Sequence, residues 1–353
     1  MTHTATQALP RQTLHPPAVA TDPAVQSAVS SYAEQGLAPL QDLLRSDRVN
    51  EVVINPDGRI FVEHADASHM KAAIEIEMSE HAIRTVGGHL AGETGNALGE
   101  DHPIVSGRVH VFGADMRVQV VVPPAVERGV SLSIRKFVGH ILEPDTIGFL
   151  GGRSIDLEGE RRKRQDELRG LIEQGDLPSL FRRAIDERLN ILVSGGTSSG
   201  KTTIARALLA LAHPDERLVT IEDAVELRPT HRNAVALVAS RRNDSDRTVG
   251  KLLASALRMR PDRLVLGEIR GAEAYDFLEA INTGHPGSIT TVHADSPTLA
   301  LERMALMVMQ TGVRLSRADV IAYASTTIDM IVQVGRRDGK RGVLEISMPN
   351  SAA

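Results

Sequence analysis

The stretch "GGTSSGKTT" meets the spacing G-x-x-x-x-G-K-[ST] through Gly195, Gly200, Lys201 and Thr202. Glycines at these positions let a loop close into a concave nest of backbone N–H groups that face the β- and γ-phosphates of a nucleotide. Lys201 adds a point positive charge, and the Thr202 hydroxyl is of the type that ligates Mg²⁺. The candidate phosphate-binding segment is therefore Gly195, Gly196, Thr197, Ser198, Ser199, Gly200, Lys201, Thr202 and Thr203. The apolar run Ile191–Val193 before it reads as a buried strand, and Ile204, Leu208 and Leu211 after it recur at helical spacing. Strand, loop and helix is the context that such a loop requires.

Hydrolysis also needs acids near the metal and the attacking water. Glu222 and Asp223 follow the apolar run Leu218–Ile221, and Glu268 follows Leu264–Leu266. In an open parallel sheet the C-terminal strand ends form one rim, so these acids should meet the loop there. Spacing alone also allows each acid to cap the next helix, but two of them alongside a phosphate loop favour a role in chemistry. His293 ends the run Ile289–Val292 and should reach the same rim, while His285 sits in a Gly-rich turn. A lone histidine is more often structural than catalytic. Further upstream, Arg117 and Arg135 occupy the polar side of two alternating strands. Their spacing suits exposed structural arginines; the sharper alternative is a guanidinium clamp on phosphate.

The elements that must position these groups fall into two parts. Residues 1–24 are rich in Thr, Pro, Ala and His and read as a disordered tail. Residues 25–140 read as a small α+β domain: helix over 25–46, a hairpin around Asn55-Pro56-Asp57-Gly58, helix over Glu80–Leu90, a second hairpin turning at Gly113-Ala114-Asp115, and the strand "VSLSIRKF". Residues 141–180 read as linker and helix. Their block Arg161–Arg164 is flanked by acids and suits a solvated helix better than a membrane or nucleic-acid patch. From 181 to 353, strand runs at 191–193, 218–221, 235–238, 264–266, 289–292 and 328–334 alternate with helices over 202–212, 248–259, 272–282 and 298–310. "GRRDGKRG" closes a final hairpin. This alternation makes the fold class α/β, with a mainly parallel sheet covered on both faces.

Composition bounds the rest. The 353 residues are 42% hydrophobic and 24% charged, with a net charge of −5, so no global basic field points to nucleic acid. Cysteine is absent, which excludes disulfides, zinc–thiolate sites and a cysteine nucleophile. No run of about 18 apolar residues is present, and the N-terminus lacks the basic start and apolar block of a signal peptide; a cytoplasmic location is the expectation.

Together "GGTSSGKTT", "TIEDAVEL", "RPDRLVLGEIRGAEAYDFLEAINTGHPGSITTVHAD" and "RVQVVVPP…SLSIRKF" resemble the secretion-superfamily traffic ATPases of type II and type IV secretion and pilus systems, most of all the conjugal-transfer, TrbB-like kind. The likeness runs from about Asp47 to Val334. It implies a RecA-like P-loop domain behind the N-terminal domain, with ATP and Mg²⁺ as cofactors. It further implies that Gly195–Thr202 form the Walker A loop, that Glu222 activates water, that Glu268 holds the Walker B position with a metal or water role, that His293 and more weakly His285 form a His box, and that Arg117 and Arg135 reach a nucleotide lying between the domains. Partners implied are five further copies in a homo-hexamer and inner-membrane secretion or conjugation components, with peripheral association at the inner membrane. Ser198 departs from the family, which usually has glycine there; a serine adopts left-handed backbone less cheaply.

Two other readings share this core. A pilus-assembly or type II secretion-type motor often carries a four-cysteine zinc module, which a chain without cysteine lacks, so a zinc-free motor of that kind is the alternative that stays open. A RecA-like nucleic-acid motor usually offers aromatic stacking platforms and a basic groove, whereas this chain has no Trp, three Tyr and six Phe. Direct sequence-specific nucleic-acid binding is not expected.

Overall fold

The computed structural model describes residues 30–137, 143–149, 152–242 and 245–349; the stretch read as a tail, residues 1–24, lies outside them. The helix expected over 25–46 is instead two short ones, α1 (Tyr32–Gly36) and α2 (Gln41–Arg45), joined by a 3₁₀ turn over Ala38–Leu40. Ser31 and Glu34 form a reciprocal cap that starts α1. Gly36 and Pro39 then break it, one by its backbone freedom and the other by its missing N–H.

The first sheet contains β1 (Val49–Ile54), β2 (Ile60–His64), β3 (Lys71–Ala72), β4 (Ile104–Val111), β5 (Ala114–Val121) and β6 (Ser131–Lys136), in the order β3-β2-β1-β6-β5-β4 with antiparallel pairing throughout. α3 (Glu80–Glu93) covers one face with Ile83, Val86 and Leu90, which share a core with Val118, Val120, Leu132 and Ile134. The second hairpin turns at Phe112-Gly113, one residue earlier than the sequence reading placed it, with φ of 51° and 76°. Two left-handed residues match the right-handed twist of the strands they join, and that overrides the preference for Asp in the turn. The two-residue strand β3, wholly exposed, is too short to leave an alternating pattern.

The second sheet contains β7 (Ile191–Gly195), β8 (Leu218–Glu222), β9 (Ala234–Val238), β10 (Arg263–Leu266), β11 (Ile289–Val292), β12 (Met330–Arg337) and β13 (Lys340–Ser347), in the order β13-β12-β7-β11-β10-β8-β9. All neighbours pair in parallel except the β12–β13 hairpin. Strands buried along their length need both faces covered, which explains their uninterrupted apolar runs. Cover comes from α6 (Lys201–Leu209), α7 (Val249–Ala256), α8 (Glu273–Asn282), α9 (Pro297–Met309) and α10 (Arg317–Thr327). The sequence reading missed α10, whose three buried residues, Val320, Ala324 and Thr327, give little apolar periodicity.

The basic block lies on α4 (Leu157–Gln174), which precedes α5 (Leu177–Asp186). Arg161 donates to the Thr326 carbonyl at 2.9 Å and lies 3.5 Å from Asp329; Arg164 lies 3.6 Å from Glu187. Leu168 joins the core formed by Leu180, Ile191 and Val332. Two of the four cations thus hold α4 against the second sheet's helical layer.

The two sheets meet along a seam at the β9 edge. Val121, Ala125 and Val126 of the first part belong to the second part's core. The Val238 N–H donates to the Ala125 carbonyl at 2.8 Å, and Arg247 donates to the Pro124 carbonyl at 3.0 Å. At the centre is Arg217, fully buried, whose guanidinium donates to Asn55 Oδ1 at 2.6 Å, to Asn233 Oδ1 and to the Met259 carbonyl at 2.7 Å. A buried guanidinium is tolerated only when so bonded.

Candidate nucleotide-binding and catalytic site

The phosphate loop leaves the end of β7 at Gly195. A Cβ there would stand 2.5 Å from the Val334 carbonyl oxygen and 2.6 Å from Ser199 Oγ, so only glycine lets β7 end beside β12. The loop turns through Ser198 (φ 57°) and Gly200 (φ 101°), and α6 begins at Lys201. Left-handed residues in such a run make the anion-binding concavity that the motif needs, at the positive end of a helix. Ser198 adopts the very conformation for which glycine is the cheaper residue. Ser199 Oγ is buried and has no hydrogen-bond partner among the described residues, a polar group whose environment fits a phosphate oxygen.

Three residues of widely separated sequence form one line along this loop. Lys201 Nζ donates to the carbonyls of Gly195 and Gly196 at 3.0 Å each and lies 3.3 Å from His293 Nδ1. His293 Nε2 lies 3.0 Å from Glu268 Oε1. The Nε2–H tautomer satisfies both contacts, accepting from Lys201 and donating to Glu268. Burial, foremost, lowers the His293 pKa, with Lys201 adding to it and Glu268 opposing, which favours the neutral ring. Burial also lowers Lys201, against the pull of Glu268. For Glu268 burial works upward, but the Arg270 hydrogen bond, the His293 ring beside it and the charges of Arg270 and Lys201 outweigh it and hold the carboxyl low.

Glu222 ends β8 and is only 7% exposed. Its Oε1 accepts the backbone N–H groups of Glu226 and Leu227 at 3.0 Å each. Burial raises its pKa in spite of them, the direction that suits a base poised nearer neutrality. A Cβ on Gly267 would stand 3.0 Å from Glu222 Cγ, so the bare backbone after β10 leaves room for that side chain.

Lys201, Thr202, Glu222, Asp223, Glu268 and His293 line one cleft of about 560 Å³, together with Thr197–Gly200 and Thr203. For Mg²⁺ the cleft offers the Thr202 hydroxyl and the Glu268 carboxylate, hard oxygen donors of the kind that cation takes alongside phosphate and water. Sequence reasoning did not single out three arginines lining the same cleft: Arg241, Arg270 and Arg341. Arg270 lies 2.7 Å from Glu268 and 3.4 Å from Asp223, and Arg241 lies 2.7 Å from Asp223. Arg270 stands two residues after Glu268 and its proximity was readable; Arg241 and Arg341 carry no such spacing signal.

His285 is elsewhere: its Nδ1 lies 3.3 Å from the Ala280 carbonyl at the end of α8, and burial lowers its pKa. Arg117 and Arg135 are also not brought to the cleft within this chain. They face each other in register across β5 and β6, with Arg108 opposite Arg117 and Glu51 opposite Arg135, and line a separate cavity with Asn50, Glu63, Lys136 and Phe137. Alternation correctly gives their side of the strand, but the first part docks on the β9 edge, three strands beyond β11, the neighbour of β7. That docking separates the arginine row from the phosphate loop.

Residues 164–336 match the family described as "Type II/IV secretion system protein". The chain is 32% identical over 328 residues to the type IV secretion system protein VirB11 of Bartonella henselae, spanning 88% of this chain and 91% of that relative. It is 34% identical over 301 residues to the conjugal transfer protein TrbB of Rhizobium radiobacter, spanning 84% and 83%. The crystal structure of the VirB11 ATPase from the Brucella suis type IV secretion system, in complex with sulphate, aligns with a TM-score of 0.79 at 32% identity, over 90% of this chain and 95% of that one.

Proposed function

Because this chain belongs to the type II/IV secretion family, alongside VirB11 and TrbB, we propose that it is a hexameric ATPase energising type IV secretion or conjugal transfer. The observation that carries the reading is the line Lys201–His293–Glu268 inside the phosphate-loop cleft. ATP is cradled by the amides from Gly196 to Thr203, and Lys201 exchanges its loop carbonyls for the β- and γ-phosphates. Thr202 and Glu268 would hold Mg²⁺, which would supply positive charge against the transferred phosphate. Glu222 takes a proton from the attacking water. His293, held between Lys201 and Glu268, registers whether a γ-phosphate occupies the loop.

Force arises from the seam. Phosphate release changes the loop end of the second sheet, and the first part, docked on the β9 edge through Arg217, Asn55 and Asn233, shifts as a body. Contact of Arg117 and Arg135 with nucleotide requires that shift, or a second subunit to supply them, and so belongs to the ring's working cycle. Among the described residues no helix is long and apolar enough to cross a membrane. On its likeness to VirB11 and TrbB, we place the ring in the cytoplasm, peripheral at the inner membrane, with membrane-embedded secretion or conjugation components as partners.

Lys201→Ala should abolish ATP hydrolysis, and Glu222→Gln should retain bound ATP while turnover falls by at least ~10²-fold. Unchanged hydrolysis in both variants would remove the assignment. Electron microscopy with a non-hydrolysable ATP analogue checks the ring; particles that stay monomeric argue against it.

A further inference from the structure

Of the three cleft arginines, Arg241 and Arg270 pair with Asp223 and Glu268, whereas Arg341 has no carboxylate partner among the described residues. Arg341, near the start of β13, donates from Nε to the Ser198 carbonyl at 2.8 Å, and its Cδ approaches the Cβ direction of Gly200 at 3.9 Å. The side chain lines the same cleft as Lys201, Thr202 and Glu268. Among the described residues no protein group takes its two terminal amino groups. A guanidinium anchored by one edge keeps its other donors in a fixed plane, the geometry that suits a phosphate oxygen pair.

Strand order says which phosphates. β7 carries the loop and has β11, then β10, on one side and β12, then β13, on the other. His293 and Glu268 follow β11 and β10, so the γ-phosphate, the metal and the attacked bond belong on that side. Arg341 approaches from the opposite side, where the part of the nucleotide that survives cleavage must lie.

We propose that Arg341 is a further nucleotide-binding residue, its guanidinium gripping the phosphates retained in ADP. The proposal rests on the ATPase reading above and extends it: the C-terminal hairpin, 143 positions from Ser198, becomes one wall of the nucleotide site. Through Ser198, the same arginine holds the carbonyl of the one non-glycine residue that the loop keeps in left-handed backbone.

The test is titration of the full-length protein with fluorescent ADP and ATP analogues, combined with steady-state hydrolysis. Arg341→Ala and Arg341→Gln should each weaken ADP and ATP by the same factor, roughly tenfold for one charge-assisted contact. KM should rise in step with that loss while kcat stays within about twofold, a split that expresses lost ground-state binding. Arg341→Lys should recover part of the affinity, and Lys340→Ala, at the hairpin tip, should behave as wild type. Wild-type ADP affinity in the glutamine variant overturns the proposal, and so does a loss confined to ATP. Failure of the wild-type protein itself to bind either nucleotide would instead overturn the ATPase reading.

Discussion

Glu51→Gln isolates one buried charge at the seam. Glu51 sits in β1 opposite Glu63 of β2 and Arg135 of β6 and is only 2% exposed. Burial pushes its carboxyl up to about 7 from an ordinary 4.5, against the pull of Arg217, with Glu63 adding to the rise and Arg135 and Arg260 opposing it. The folded state therefore holds the proton more tightly than the unfolded state does. The stability this group lends is complete below the unfolded value and is lost as pH rises through about 7. The full swing is about 3 kcal/mol at about 1.4 kcal/mol per pH unit. Of that, about 1.4 kcal/mol falls between about pH 6 and about pH 8.5. Glutamine never ionises, so urea unfolding should find the variant gaining that much on wild type over the same interval. Two proteins that respond to pH in parallel would refute the burial argument. Since Arg217 and Arg260 come from the second part of the chain, this titration is felt where the two parts join.

Two further outcomes follow from the site. His293→Ala breaks the line between Lys201 and Glu268 and should lower kcat by roughly 10²-fold while leaving ADP affinity intact, measured by phosphate release and nucleotide titration. Ser198→Gly removes a left-handed serine and should raise stability by about 1 kcal/mol, seen as a higher midpoint in thermal unfolding; a lower midpoint would mean that the serine conformation carries no strain.

Much of the machinery was legible because its signals are local. Gly195, Gly200, Lys201 and Thr202 announce a phosphate nest within eight consecutive residues, and the structure forms that loop between β7 and α6. Buried parallel strands leave apolar runs, so Ile191–Val193, Leu218–Ile221 and Ile289–Val292 could be found, and the residues just after two of them, Glu222 and His293, fell at the rim. Elements without a local signal were missed: α10, whose buried set is sparse, and β3, which is two residues long.

The chain's own order thus determined the chemistry on offer, because the nest and the acid-bearing strand ends depend on residues within a few positions of each other. Tertiary structure decided which charged groups share the cleft. Alternation gives Arg117 and Arg135 a side of their strands, but only the docking of the first sheet on the β9 edge carries them away from Lys201. Return of the β12–β13 hairpin brings Arg341 onto Ser198 across 143 positions. Sequence period records the direction of a side chain relative to its own backbone. What lies in that direction depends on the burial of apolar surface between distant segments, which no short window contains.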